Sequence, residues 1–245
     1  MTPLEIARQA CGTNVVDKDG RSTTLQLLPP LSPEEFTRLE ASIPCPLPAE
    51  VRALLSFSRG FANGPFGGAD FSGFIYEERF GAEDIFPCSL PMVRDICGNF
   101  WIVDLTGKST SWAPIFYACH DPPVIVFQSG DLSRFIREFL RAGTAPPGSE
   151  LDAVHEYLAL RIWSENPGLL SHETAVHSPD PELKSFAAIL DESFQFIDLR
   201  NAKTGDGFSW GRYGPRTVVR RHGESLLFAF QKPERKSLFS RLFGR

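Results

Sequence analysis

The apolar positions of this chain are densest between Leu90 and Gln128. Residues 100–105 place Trp101, Val103 and Leu105 on one alternating face and Phe100 and Ile102 on the other. A strand apolar on both faces belongs in the middle of a sheet that is covered on both sides. Residues 115–119 and 124–128 have the same character, so three strands are predicted. Gly98-Asn99 supplies positions that tolerate positive φ before the first of them, and His120-Asp121-Pro122-Pro123 turns the second into the third. The period then changes. After Ser129-Gly130-Asp131, the residues Leu132, Phe135, Ile136, Phe139 and Leu140 recur at helical spacing and form a stripe wide enough to cover a sheet face.

Upstream, Ser32-Pro33-Glu34-Glu35 has Ser at the N-cap, Pro at the first helical position and Glu at the third. It predicts a helix with Phe36, Leu39 and Ile43 inward. The proline run 44–48 breaks that helix and begins another, carrying Leu47, Val51, Leu54 and Leu55, closed by Gly60 and Asn63-Gly64. Residues 65–73 read as a Gly-rich and aromatic loop leading to a strand near 71–76. Residues 1–30 are weakly patterned: a turn at 17–20 between short extended pieces at 14–16 and 23–28.

Downstream, Gly143 and Pro146-Pro147-Gly148 mark a stop and a linker. Leu151, Val154, Leu158 and Ile162 predict a helix, residues 171–180 a polar connection, and Asp180-Pro181-Glu182 the cap of a further helix. Residues 194–200, 217–221 and 226–231 read as strands. The expected organisation is an arm (1–30), a central domain (31–144) and an extension (145–245) of two helices, a small three-stranded sheet and a basic tail. The expected class is α+β, with a central, mostly antiparallel sheet flanked by helices and a C-terminal helical and β-hairpin extension.

Charge sharpens this division. The net charge is −5, yet residues 194–245 carry 11 basic and 4 acidic side chains. Either the basic end lies against the acidic remainder, or two faces serve different partners. No apolar run approaches the ~18 residues of a membrane span, and residues 1–8 lack a signal-peptide pattern, so a cytoplasmic protein is expected. The five cysteines, Cys11, Cys45, Cys88, Cys97 and Cys119, contain no C-x-x-C pair. They fit reduced thiols better than a disulfide frame or a zinc site.

Four stretches, in order, carry a family resemblance. They are the Leu47-Pro48 helix leading to Asn63-Gly64; Asp95-Ile96-Cys97-Gly98-Asn99-Phe100-Trp101; the strand ending in His120-Asp121; and the amphipathic helix from Leu132. Residues 31–140 thereby resemble the SUKH superfamily, which includes the yeast cell-wall synthesis regulator and many bacterial toxin-immunity proteins. The usual acidic-Gly dipeptide is Asp95-Ile96 here. The resemblance implies an α+β domain that binds other proteins, in bacteria a cytoplasmic protein that neutralises a cognate polymorphic toxin. It implies no shared catalytic residue and no cofactor, and it does not extend to residues 1–30 or 145–245. The alternative within the family is a regulatory or scaffold protein. A hydrolase or transferase reading lacks a nucleophile, base and orienting group in the sequence.

Candidate sites follow from residue type. Glu77, Glu78, Glu83 and Asp84 offer an acidic patch for a basic toxin, or simply a solvated loop. Trp210, Arg212 and Tyr213, in the Gly-rich stretch 205–214, are residue types of interface hot spots, or parts of a structured hairpin loop. Asp95, Gly98, Asn99, Trp101, His120 and Asp121 are expected to shape turns. Cys119 and His120 are strand neighbours that point to opposite faces and cannot act together. His172 and His177 are spaced i, i+5, one residue too many for a pair of zinc ligands on one helical face. The expected partner is a protein toxin of unspecified class, with no nucleic acid and no membrane span. The tail from Lys236 has Leu and Phe interleaved with basic residues; it suits docking on the acidic part of the chain, or weak contact with a partner or anionic surface.

Overall fold

The structure is a computed structural model that describes residues 1–17, 19–74, 81–106, 114–142, 148–214 and 217–232. Along the chain lie α1 (Pro3–Ala10), β1 (Asn14–Val16), β2 (Ser22–Thr24), α2 (Pro33–Ser42), α3 (Ala49–Leu55), β3 (Gly60–Phe61), β4 (Ala69–Asp70), β5 (Ser89–Arg94), β6 (Phe100–Asp104), β7 (Ile115–His120), β8 (Pro123–Ser129) and α4 (Leu132–Arg141). There follow α5 (Glu150–Ala153), a π-helical turn (Val154–Leu158), α6 (Ala159–Glu165), β9 (Leu170–Ser171), α7 (His172–Val176), α8 (Pro181–Ala188), β10 (Phe194–Asp198), β11 (Gly207–Phe208), β12 (Val219–Arg221) and β13 (Leu227–Gln231). The class is α+β, as the alternating and helical periods predict.

Two compact units result: residues 1–167 with 202–209, and residues 168–201 with 210–245. Composition marks where a chain can bend. Packing decides which segments share a core. Among the described residues, none of the helices is long and apolar enough to cross a membrane.

The first unit is built on an antiparallel five-stranded sheet in the order β11-β8-β7-β6-β5. Every residue of β6 is buried, as a strand apolar on both faces requires. In register, Trp101 faces Tyr117 and Tyr117 faces Val126. Trp101, Val103, Tyr117, Cys119, Val124 and Val126 share one core with Leu132, Phe135, Ile136 and Phe139 of α4 and with residues of α1 and α3. On the opposite face, Phe86 meets Phe116 at 5.2 Å between ring centroids. The Asp121–Pro122 peptide in the β7–β8 turn is cis.

Three elements of this unit differ from expectation. Residues 3–10 are helical, where only weak patterning was read. Thr2 accepts from the Glu5 N–H while the Glu5 carboxylate accepts from the Thr2 N–H, with Pro3 at the first helical position. This is the same capping box that Ser32 and Glu35 build for α2. The strand expected near 71–76 is instead the short β4, and residues 75–80 lie outside the described residues. Finally, the chain returns late to the first unit, where Gly207 and Phe208 pair with Val126 and Ile125 at the β8 edge. A Cβ on Gly207 would stand 2.1 Å from the Ile125 carbonyl oxygen, so the close approach requires glycine. The stretch 205–214 is therefore not a hairpin loop.

The second unit holds a four-stranded antiparallel sheet in the order β12-β13-β10-β9, one strand more than expected. Its core includes Ala175, Leu183, Phe186, Ala187, Phe194, Phe196, Leu227 and Ala229. Residues 172–176, read as a polar connection, form α7, capped by Ser171.

Candidate functional site

The β5–β6 turn carries the first of the family-like residues. Gly98 has φ +83°, a backbone conformation that side chains with a Cβ avoid, which explains why glycine stands there. Asp95 is 4 % exposed. Its Oδ1 accepts from the N–H groups of Cys97 (2.8 Å) and Asn99 (2.9 Å), closing the turn. Its Oδ2 accepts from Asn99 Nδ2 (2.8 Å) and the Tyr117 hydroxyl (2.9 Å), and His155 Nε2 lies 3.1 Å from the same oxygen. Asn99 Oδ1 in turn accepts from the His120 N–H at 3.0 Å, tying this turn to the end of β7. Trp101 donates its indole N–H to the buried Gln128 side chain at 2.9 Å.

Asp95 stands at the centre of these hydrogen bonds. Burial pushes the Asp95 carboxyl up, but the hydrogen bonds from His155, Asn99 and Tyr117 more than reverse this and hold it well below the usual carboxylate range. Burial, with the Asp95 charge behind it, pushes the Tyr117 phenol far above its usual value and keeps it a donor. An ionised carboxylate only accepts, so His155 Nε2 carries a proton.

His155 also faces Glu156, with Nδ1 2.9 Å from Oε1. With the proton on Nε2, Nδ1 donates to Glu156 only in the protonated ring; in the neutral ring it is an acceptor. The π-helical turn places it there: the Ala159 N–H bonds to the Val154 carbonyl, one residue further back than in an α-helix. The same wide turn buries Ala159, while Leu158, expected inward, is half-buried. His155 was missed in the sequence. Its signal was present: it lies four residues after the buried Leu151, on the apolar face of its helix.

Above this network lies an open cleft of about 530 Å³, lined by Asp17, Asp19, Gly64, Pro65, Phe66, Gly67, Asp95, Ile96, His155 and Glu156. Aromatic rings pack around its floor: Phe66 lies 4.9 Å from Trp101 and 5.7 Å from His155 between centroids, and Trp101 4.7 Å from Tyr117. Ile96 is 97 % exposed at the rim. Asn63 fastens the neighbouring wall, accepting from the Gln26 N–H and donating to the Thr24 carbonyl and the Thr23 hydroxyl. The Asp17 carboxylate closes the β1–β2 turn by accepting from the N–H groups of Asp19 and Arg21.

The other predicted positions are not brought to this cleft. Glu83 is half-buried and Asp84 exposed in a turn before β5, whereas Glu77 and Glu78 lie outside the described residues. Trp210, Arg212 and Tyr213 belong to the second unit and are half-buried. The Tyr213 hydroxyl donates to Gln195 Oε1 at 2.9 Å, so part of its polar capacity is used within that unit. Cys119 is buried and His120 exposed, as their opposite strand faces predict. Burial pushes the Cys119 thiol up to about 11, which keeps it from being a ready nucleophile. His172 Nε2 faces the Ala187 and Leu190 carbonyls and His177 Nδ1 the Glu173 carbonyl. Among the described residues there is no group of three His, Cys, Asp or Glu side chains able to hold a metal ion. The tail from Lys236 lies outside the described residues.

Neither a curated protein nor a solved structure gives a significant match to the chain. A family model does: the SMI1 / KNR4 family (SUKH-1) matches residues 30–138. That span contains Asn63, Asp95, Asn99, Trp101 and His120, whose hydrogen bonds hold the cleft and the sheet behind it, and on this match residues 30–138 of the chain belong to the SUKH superfamily.

Proposed function

We propose that this SUKH-type protein is a non-enzymatic immunity protein, which binds a cognate polymorphic toxin in the cytoplasm and occludes its active site. The observation that carries the reading is the division of labour at the cleft. The polar groups of its floor are spent on one another: Asp95 on His155, Asn99 and Tyr117, and His155 on two carboxylates. The rim, by contrast, turns Ile96, Asp19 and Glu156 outward. An exposed apolar side chain among charges suits association with another protein. Glu83 and Asp84, apart from the cleft, would offer a basic toxin a separate acidic contact.

Co-expression tests the reading. The full chain is expected to relieve the growth arrest caused by the toxin encoded beside its gene and to co-purify with it. A neighbouring toxin that is neither neutralised nor bound would remove immunity as the function. The regulatory alternative draws its support from the second unit, whose separate core lies outside the matched residues. If substitution of Trp210 and Arg212 leaves protection intact, that unit is not part of the toxin-binding surface.

A further inference from the structure

We infer that the cleft over Asp95 and His155 is an anchoring pocket for a basic side chain, arginine above all, presented by a protein partner; this rests on the binding reading above and gives that partner's chemistry. The cavity of about 530 Å³ is within the ordinary ~300–1,000 Å³ range of ligand pockets. Four carboxylates line it, those of Asp17, Asp19, Asp95 and Glu156, against a single ring that can carry positive charge, His155. Asp95 sits at the floor, ionised and almost fully occupied by its own donors. It sets the sign of the field without needing a ligand. At the mouth, Glu156 has a side chain 49 % exposed and one oxygen facing His155, and Asp19 has a side chain 67 % exposed and an exposed pairing with Arg21 at 3.3 Å, for which an incoming guanidinium would compete.

The apolar parts decide between cations. Phe66 lines the cleft with its ring against Trp101 and His155, which presents an aromatic surface beside carboxylates. A planar guanidinium stacks on such a surface while its N–H fork reaches two oxygens; a compact ammonium uses less of it. Ile96, 97 % exposed, stands at the rim where the methylene stem of a long side chain would pass. One irregularity helps to build this arrangement: His155 and Glu156 lie in the π-helical turn. π-Helical turns inside α-helices are frequent at functional sites.

The test uses the full ¹⁵N-labelled chain, titrated with N-acetyl-arginine methylamide and, in parallel, with its neutral citrulline counterpart. The arginine probe is expected to produce saturable shifts at the backbone amides of Gly64, Gly67, Ile96 and Glu156, with the citrulline probe at least ~10-fold weaker, about 1.4 kcal/mol. Glu156→Gln, on an exposed side chain, should weaken arginine binding several-fold while leaving the remaining spectrum in place. Absence of saturable shifts, equal response to citrulline, or an unaltered affinity in Glu156→Gln would each overturn the pocket. Toxin protection is scored separately on the same proteins. Protection with no arginine response removes the pocket and spares the immunity reading; an arginine response without protection does the reverse.

Discussion

Asp95 in the first unit and Arg200 in the second each stand at the centre of a ring of complementary groups. Asp95 is 4 % exposed and surrounded by N–H and O–H donors from its own turn, from β7 and from the π-helical turn. Arg200 has a side chain 25 % exposed and reaches three carboxylates, those of Asp180, Glu182 and Asp198, at 3.0, 2.8 and 2.7 Å. Each ring fastens separate segments together. The dielectric around them differs. A charge removed from water depends on every donor it keeps, whereas a charge at the surface can exchange a partner for water. Asp95 and all of its ring except His155 lie inside the family-matched span, and the second ring lies outside it. On this comparison the matched domain should fail sharply when its charge is disturbed, and the second unit should yield little.

The largest expected effect comes from removing the segments that reach the first unit from outside the matched span. A chain ending at residue 144 keeps every family-like motif. It loses Leu151, Val154, Ala159 and Ile162 from the core, His155 from Asp95, and β11 from the edge of β8. An uncovered strand edge and an opened core favour association over folding. This truncation is expected to be aggregated or to lack dispersed amide resonances. A soluble, well-dispersed spectrum would show that residues 1–144 fold alone and would sever the link between Asp95 and the later helix.

Asp95→Asn comes next. The substitution keeps the shape but replaces one charged acceptor oxygen with a donor facing Tyr117, His155 or Asn99. Breaking a buried, hydrogen-bonded charge of this kind costs about 3–5 kcal/mol, which urea titration of the full chain would read in the first unit. The pH dependence has a definite sign. The folded carboxyl is held below its unfolded value near ~3.9, so its contribution is present above that pH and is lost as pH falls through the folded value. The wild type should therefore lose stability on acidification below about pH 4 more steeply than Asp95→Asn. Parallel acid limbs would mean that the ring around Asp95 contributes no net stability.

The sheet and α4 were legible because each is a local pattern: alternation and i/i+3/i+4 spacing. The Asp95 ring was legible only in its local half. Asn99 lies four residues away and could be placed in the same turn, whereas Tyr117 and His155 arrive through strand register and helix packing. The π-helical turn hid His155 further, because an ideal helical wheel drawn through Leu151, Val154, Leu158 and Ile162 misassigns the residues after it. β11 was illegible for another reason. Two residues of strand, Gly207 and Phe208, carry no periodicity, and what places them is an edge of β8 more than 75 positions earlier. The helix α1 is different again. Its Thr2-Pro3-Leu4-Glu5 signature was as explicit as the one read at Ser32, and only the weak apolar pattern after it obscured the start.

The smallest effect is expected at Arg200, and it tests the second half of the comparison. Arg200 pairs bidentately with Asp198, through Nε to Oδ1 at 3.0 Å and Nη2 to Oδ2 at 2.7 Å, and its Nη1 reaches Glu182. These contacts tie the end of β10 to the first turn of α8. The hydrogen bond from Arg200 leads the causes that hold the Asp198 carboxyl below its usual value, so the attraction is real. Yet Asp180 caps α8 through the Leu183 N–H at 2.7 Å without Arg200, and the carboxylates freed by its loss are open to water. Arg200→Gln should therefore cost the second unit less than about 1 kcal/mol, read as amide exchange in β10 and β13. The loss should shrink further at about 1 M salt, where the Debye length is about 3 Å. A loss of several kcal/mol that persists in salt would place Arg200 beside Asp95 as a charge the fold depends on, and exposure would no longer explain the difference between the two rings.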